Sequence, residues 1–312
     1  MTRYKLIVNP VAGRGAGEAS VPAIVSALRD YGLDFDLVRT ERPWHAADLA
    51  QQAVAAGYDV VVTVGGDGTS NEVLNGLMLA KQHGLGAPAM GFVSVGRGND
   101  YAFGMGVPPG VPQGCQVLAQ NCRRTVDVGL VRGGLYPDGR YFGNGVGIGF
   151  DAAVGFEAAK MVHLSGFLCY LVAALKTIFV YYRAPVVHIE HDGQTTTQPS
   201  LMTSIMNGRR MGGTFLMAPQ AEVDDGLLDL CIASHASRAR ILALIPHFMK
   251  GTQATQPEIR TARTRHVVVT AVKGTLPAHA DGETLCTAGQ QLEVELLPQG
   301  IEILCQEPGA AQ

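Results

Sequence analysis

Five consecutive residues, Val60, Val61, Val62, Thr63 and Val64, form an unbroken β-branched run that stops at Gly65-Gly66-Asp67-Gly68-Thr69. A run with no polar alternation marks a strand covered on both faces, as in a parallel sheet flanked by helices. Glycines at its end let the turn take positive φ and bring backbone N–H groups close to a ligand, with Asp67 at the mouth. Asn71 and Glu72 are expected to begin the following helix. A strand, a glycine turn and a helix N-terminus form an anion site, and an acid inside it suits a metal ion bound with phosphates. A purely structural tight turn requires fewer glycines than this one carries. The stretch reads as a nucleotide-phosphate loop.

Two other phosphate patterns do not hold. No G-x-x-x-x-G-K-[ST] occurs, and the nearest stretch, Gly208 to Thr214, lacks the lysine that reaches the β- and γ-phosphates. Gly147-x-Gly149-x-x-Ala152 satisfies the dinucleotide pattern, yet Leu168 to Leu175, about twenty residues on, offer no acid for a ribose.

With 312 residues the chain is longer than one typical core, so two domains are expected. A net charge of −3 without a basic stripe argues against a nucleic-acid partner. Six cysteines without C-x-x-C spacing fit reduced thiols. The first residues run directly into a strand without the features of a secretory signal, so the protein is expected to stay in the cytoplasm. Met161 to Tyr182 is long enough to span a bilayer but holds His163, Ser165, Gly166 and Lys176, so it is expected to be a helix rather than a span, either buried in protein, the favoured reading, or partly facing lipid.

Along the chain, strands at Lys5–Val8, Asp34–Arg39, Val60–Val64 and Ala89–Val95 alternate with helical patterns at Val21–Tyr31, His45–Ala56 and Asn71–His83. Such alternation implies a three-layer α/β domain with a parallel sheet. Glycine turns follow three of its strands, at Asn9-Pro10-Val11-Ala12-Gly13, at Gly65-Gly66 and at Gly96-Arg97-Gly98-Asn99-Asp100. Their contents therefore share one sheet edge. From about Thr125 short β-rich segments take over, at Val126–Val131, Tyr141–Ile148, Pro185–His191, Ser200–Met206, Leu227–Ala233, His266–Ala271, Gln291–Leu296 and Gly300–Leu304. They indicate a β-sandwich, interrupted by helices at Phe156–Tyr182 and Arg238–Lys250. The expected division is 1–125 and 126–312, with a return of the last strands to the first domain left open.

Asn9-Pro10-x-x-Gly13, Gly65-Gly66-Asp67-Gly68-Thr69-x-Asn71-Glu72, Gly98-Asn99-Asp100, Asn207-Gly208, Asp224-Asp225-Gly226-Leu227-Leu228-Asp229 and Asp281-Gly282-Glu283 occur in this order. In that order they resemble the diacylglycerol kinase catalytic-domain family, in particular its soluble bacterial lipid kinases, over almost the whole chain. NAD kinases and phosphofructokinases are similar around the GGDGT element alone. The resemblance implies an N-terminal domain like theirs, a C-terminal β-sandwich, and ATP-dependent phosphorylation of a lipid hydroxyl with Mg²⁺. It places nucleotide contacts at Asn9, Gly13, Thr40, Gly65, Gly66, Asp67, Gly68, Thr69 and Asn71. It also implies a structural Mg²⁺ at the Asp225 carboxylate with groups at Glu222 and Leu227, linked through water to Asp67 and Asp100. The general base falls at Glu283, with Asp281 beside it.

The residues suit that chemistry independently. Phosphoryl transfer requires phosphates held in line, a cation to neutralise developing charge and an acceptor for the hydroxyl proton. The glycine turns, Asp67 and a carboxylate in Asp281-Gly282-Glu283 are candidates for these parts. Arg97 departs from the family, which usually has threonine there; an arginine clamps phosphate bidentately or blocks the usual hydroxyl contact. A kinase of a soluble substrate, in the manner of NAD kinase, and a non-catalytic nucleotide or lipid sensor are the alternatives. The expected partners are a lipid substrate and, by peripheral and reversible contact, the membrane surface; a homodimer is left open.

Overall fold

The computed structural model describes residues 1–161, 166–180 and 184–306 in two compact units, Met1–Asp127 with the described residues from Gln299 on, and Val128–Pro298. In the first unit β1 (Arg3–Val8), α1 (Ala12–Asp30), β2 (Asp34–Arg39), α2 (His45–Ala55), β3 (Val60–Gly65), α3 (Asp67–Gln82), β4 (Ala89–Ser94), α4 (Asp100–Gly104) and α5 (Val111–Gln120) follow one another. The strands pair in parallel in the order β2-β1-β3-β4. β3 is buried at every residue, as its β-branched run requires. β5 (Arg123–Gly133) carries the chain into the second unit. The final strand, β15 (Gln291–Leu304), brings it back, and Ile303 extends the sheet by parallel pairing with Met90 of β4.

The second unit contains β6 (Tyr136–Phe142), β7 (Gly145–Gly149), α6 (Phe150–Ala159), α7 (Gly166–Val180), β8 (Val186–His191), β9 (Gln194–Met206), β10 (Leu228–Ser234), α8 (Arg238–Lys250), β11 (Ile259–Thr264), β12 (His266–Lys273), β13 (Leu276–Ala280) and β14 (Glu283–Gly289). Its pairings are antiparallel. β9 is long enough to serve two layers: Gln194–Pro199 pairs with β8, which continues to β12 and β15, while Met202–Met206 pairs with β7 and β10. Between the layers Val187, Ile189, Val267, Val269, Leu292 and Val294 meet Val146, Ile148, Ile205, Leu230, Ala278 and Ala280 in one core.

Several boundaries differ from the sequence pattern. The helix expected at Asn71 begins at Asp67, so Asp67 lies in its first turn. Tyr141–Ile148 is two strands, parted at Gly143-Asn144, because that turn is needed to bind other groups, as described below. Gln291–Leu296 and Gly300–Leu304 are one strand. The long helix expected over Phe156–Tyr182 is α6 and α7, with 162–165 and 181–183 outside the described residues. Of the two readings of this segment, burial in protein holds for one face of α7 only. Cys169, Ala173, Ala174, Thr177 and Ile178 are buried, whereas Leu168, Val172, Leu175 and Phe179 are exposed. Helix α5 and strands β11, β13 and β14 lacked a strong enough period to be read.

Helix α2 lies against α3 at Gly76, where an added Cβ would stand 2.3 Å from the Ala47 carbonyl oxygen. Glycine to alanine within a helix ordinarily stabilises by about 1 kcal/mol. Here overpacking against rigid backbone reverses the sign, and Gly76→Ala should lower stability by about 1–3 kcal/mol in chemical denaturation. A stabilised variant would contradict this packing.

Candidate active site

The turns after β1, β3 and β4 converge at the carboxyl edge of the first unit's sheet. Gly66 and Gly96 meet backbone to backbone: a Cβ on Gly96 would lie 2.4 Å from the Gly66 Cα. Gly13, at φ +57°, closes the β1 turn against β4, since a Cβ there would lie 2.0 Å from the Val95 carbonyl oxygen. Gly65 leaves room for Thr69, whose Oγ1 accepts a 3.0 Å hydrogen bond from Asn9 Nδ2. Asn9 Oδ1 in turn accepts the Val11 N–H. Thr40 ends β2 at the same edge, its N–H donated to the Val8 carbonyl. Gly68, on the first turn of α3, is half-buried. Asn99, itself at φ +53°, clasps Gly96 by accepting its N–H and donating to its carbonyl.

Two acids face this turn from opposite sides. A Cβ on Gly98 would lie 2.9 Å from Asp67 Oδ2 and 3.3 Å from Asp100 Oδ2, so both carboxylates point at one small volume. Asp67 Oδ1 accepts the Tyr101 N–H at 2.9 Å, which fixes its orientation. Two like charges held together at the N-terminus of α3 suit a hard divalent cation with oxygen ligands. Arg97 is exposed on the same turn and makes no hydrogen bond or ion pair with any described residue. Asn71 is fully buried in α3, and Asn75 Nδ2 donates to its side-chain and main-chain oxygens.

In the second unit the three residues Asp281, Gly282 and Glu283 divide their labour. Asp281 is buried at φ +48°, and its carboxylate accepts the N–H groups of Gly143, Asn144 and Gly145 at 2.8, 3.0 and 3.0 Å. Through these bonds it ties the β13–β14 turn to the β6–β7 turn. Asn207 supports the same turn through Nδ2 to the Gly143 carbonyl. Glu283, at the start of β14, is half-buried and has no hydrogen bond or ion pair with any described residue. Its carboxylate is available.

A further polar group lies next to that turn and escaped the sequence reading. Asp151, in the first turn of α6, accepts the Ser204 hydroxyl at 2.9 Å and the Ala152 N–H at 2.8 Å. Its Oδ2 and His279 Nε2 each stand 2.5 Å from where a Gly147 Cβ would be, so only glycine fits there. His279 Nδ1 accepts the Gly282 N–H at 3.3 Å and so props the turn that carries Glu283. Desolvation pushes the Asp151 carboxyl up to about 7 and the His279 imidazole down to about 4. The only hint in the sequence was Gly147-x-Gly149-x-Asp151, where the glycines make way for buried polar groups and not for a dinucleotide.

Glu222, Asp225 and Leu227, to which the resemblance assigns a structural cation, lie on the loop before β10. The Asp225 carboxylate pairs with Arg263, which also approaches Asp229 at 3.6 Å, and it accepts the Leu227 N–H across Gly226 at φ +75°. Burial, with the charge of Glu222 adding to it, pushes Asp229 up to about 6. Among the described residues no group of three or more His, Cys, Asp or Glu side chains gathers. Arg263 stands beside the carboxylate expected to hold the cation.

Residues 3–131 match the model of the diacylglycerol kinase catalytic domain, and residues 144–305 match that of the YegS C-terminal NAD kinase beta sandwich-like domain. This chain belongs to the diacylglycerol kinase family. It is 27% identical over 299 residues to a Mycobacterium tuberculosis diacylglycerol kinase, covering 96% of this chain and 93% of the relative. A Bacillus subtilis diacylglycerol kinase is 25% identical over 91% of this chain and 90% of its own length. Two solved structures share the fold. A Bacillus anthracis diacylglycerol kinase superposes with TM-score 0.75 at 22% identity, over 98% of this chain and 97% of its own. Yeast NADH kinase does so with TM-score 0.52 at 12% identity, over 98% and 84%. The diacylglycerol kinase family makes the chain a phosphotransferase with a hydroxyl acceptor, and its use of ATP and a divalent metal follows from the same membership.

Two predictions come from these geometries. Folded Asp151 holds its proton to about pH 7 whereas the unfolded chain releases it near pH ~4, so its contribution is present at low pH and lost as pH rises through 7. Folded His279 stays neutral down to about 4 against ~6.5 unfolded, so its contribution is present above that value and lost as pH falls through 4. Between the two the slopes oppose. Asp151→Asn should therefore show a melting temperature that rises more steeply from pH ~4.5 to ~6.5 than the parent protein does; parallel profiles would refute the raised Asp151 carboxyl. Separately, Asp225→Ala should lower the melting temperature equally with and without Mg²⁺, because it breaks an ion pair. A loss confined to Mg²⁺-containing buffer would reinstate the metal.

Proposed function

We propose that the chain transfers the γ-phosphoryl group of ATP to the hydroxyl of a lipid, with diacylglycerol or a similar single-hydroxyl lipid as acceptor. The observation that carries the reading is the pairing of Asp67 with Asp100 across Gly98, inside glycine turns at the carboxyl edge of a parallel sheet. That arrangement supplies what a nucleotide triphosphate needs: backbone close enough to touch phosphate oxygens, a helix N-terminus, and carboxylates for the accompanying cation. Magnesium, when bound, neutralises charge developing on the transferred group and on the leaving oxygen.

The chain's own residues supply the rest. Gly66, Gly68 and the Gly96–Gly98 turn leave main-chain surface against which phosphate oxygens fit, and Asn9 with Thr69 holds the β1 and β3 turns at a fixed separation. Arg97, exposed and unpaired among the described residues, favours the phosphate-clamp reading of that departure from the family. Glu283 accepts the acceptor hydroxyl's proton, on a backbone held by Asp281 and His279. We read the membrane contact as peripheral; no helix among the described residues is long and apolar enough to cross a bilayer. The soluble-substrate reading has fold likeness to NADH kinase in its favour, but it gives no role to the exposed apolar face of α7.

The test is a screen of lipid hydroxyls, NAD and sugars as acceptors with ATP and Mg²⁺, read by mass spectrometry. Phosphorylation of diacylglycerol or a related lipid is the expected result; transfer only to NAD or a sugar would overturn it. In the same assay Glu283→Gln should lose ~10²-fold or more in kcat with the KM for ATP little changed, because a base acts in the transition state. An effect on KM alone would make Glu283 a binding residue.

A further inference from the structure

Five of the six cysteines are buried, and Cys122 alone is partly open to solvent. Among the buried ones, desolvation pushes the Cys115 thiol up to about 11 and the Cys231 thiol up to about 12, so neither forms the thiolate that cysteine chemistry requires at neutral pH. Cys122 differs in its surroundings as well. It stands just before β5 and faces Cys305, just after β15, and both residues belong to the first unit. The two strands run antiparallel: Arg123 pairs with Glu302 at 2.9 Å, Asp127 Oδ1 accepts the Gln299 N–H at 2.8 Å, and Arg132 pairs with Glu295 at 2.8 Å. At the end of this ladder the Cys305 N–H donates a 3.0 Å hydrogen bond to the Cys122 carbonyl. A backbone bond across antiparallel chains sets the Cα atoms ~5.5 Å apart, inside the ~4.4–6.8 Å that a disulfide spans. The side chains converge too, since the two thiols lie within hydrogen-bonding reach of each other.

We propose that Cys122 and Cys305 form a reversible disulfide with hydrogen peroxide as oxidant, a redox latch that joins β5 to β15 where the chain leaves and re-enters the first unit. Cys122 reacts first because it is the accessible one. Its thiolate sulfur attacks one peroxide oxygen, the O–O bond breaks, and the departing hydroxide takes up the thiol's proton to leave as water. The Cys305 thiol then gives up its proton, its sulfur attacks the sulfur of the Cys122 sulfenic acid, and the S–O bond breaks to release a second water. Two thiols lose two electrons in all, and one peroxide is reduced to two waters. A dithiol reductant reverses the step through a mixed disulfide. Burial holds the Cys305 thiol above its ordinary range, and the neighbouring Cys122 adds to this while Arg124 opposes it. Cys305 therefore stays protonated until Cys122 has been oxidised, which fixes the order of the two attacks. The cross-link encloses residues 123–304, and with them the whole second unit. A loop this long restricts the unfolded chain strongly, while the folded chain already holds the two sulfurs together.

The experiment treats the full chain with hydrogen peroxide, as the parent protein and as Cys122→Ser, then alkylates and digests it for mass spectrometry, with fragment ions locating any cross-link. The parent should lose two alkylatable thiols and yield a Cys122–Cys305 linked pair that dithiothreitol opens. Its melting temperature should rise by ~5 °C on oxidation and return on reduction. Cys122→Ser, changed only at a half-exposed thiol, should melt with the reduced parent and show no rise with peroxide. The cross-link is read in the parent protein, so a variant that failed to fold would not alter the outcome. Oxidation that stops at a sulfenic or sulfinic acid on Cys122, with Cys305 still alkylated, would overturn the proposal. So would a disulfide between the Cys122 residues of two chains, or a Cys122–Cys305 link that left the melting temperature unchanged, which would remove its role as a latch.

Discussion

The contact of Gly66 with Gly96, backbone against backbone, is the constraint on which the nucleotide edge depends. Two neighbouring parallel strands deliver their turns so close together that neither has space for a Cβ. The chain then has no side chains at the point where phosphates must approach, and its amides and helix N-terminus are exposed in their place. The same closeness brings the residues just after each glycine to one spot. Asp67 follows Gly66 directly and Asp100 follows Gly98 by two, so the acids become a pair only because the turns touch. Asn99, locked onto Gly96 through both ends of its amide, prevents the second turn from drifting away. Two adjacent carboxylates repel each other, and a divalent cation bound between them would relieve that cost.

The sandwich unit solves a different problem, that of holding one carboxylate ready without neutralising it. Asp281 spends its oxygens on three amides of the β6–β7 turn, and His279, kept neutral by burial, accepts the Gly282 N–H. Both contacts fix backbone and leave Glu283 unbound. A carboxylate proposed as general base, as Glu283 is, has no bond to break before accepting a proton. Asp151 differs from all of these: desolvation keeps it near 7, so it can hold a proton at neutral pH and serve as donor or acceptor inside the sandwich.

What the sequence revealed follows from how local each feature is. The β3 run and its glycines are contiguous, and their meaning depends on the ten residues around them, so the anion turn and Asp67 were readable at once. The α7 stripe was readable as an apolar segment, but its exposure was not, because hydropathy does not say which face a neighbour covers. Asp281 and Glu283 look alike in a string of three residues; only the amides of residues 143–145, more than 130 positions away, single out Asp281 as an anchor. Arg263 in the same way lies 38 positions from Asp225, and no local pattern announced the ion pair between them. The burial of the Asn71 side chain likewise follows from what packs on a helix that begins at Asp67, which the local pattern does not show.

The central claim is that ATP with its divalent ion sits on the turns gathered by Gly66 and Gly96. Paramagnetic broadening of backbone amide resonances by Mn²⁺·ATP measures this most directly, because the effect falls steeply with distance from the ion. The amides of Gly66 to Thr69 and of Gly96 to Asp100 should broaden first, at substoichiometric Mn²⁺, and Asp67→Asn should weaken the effect at both turns together. Broadening that begins instead at Gly147 to Ala152 or around Asp225, with the two glycine turns unaffected, would contradict it.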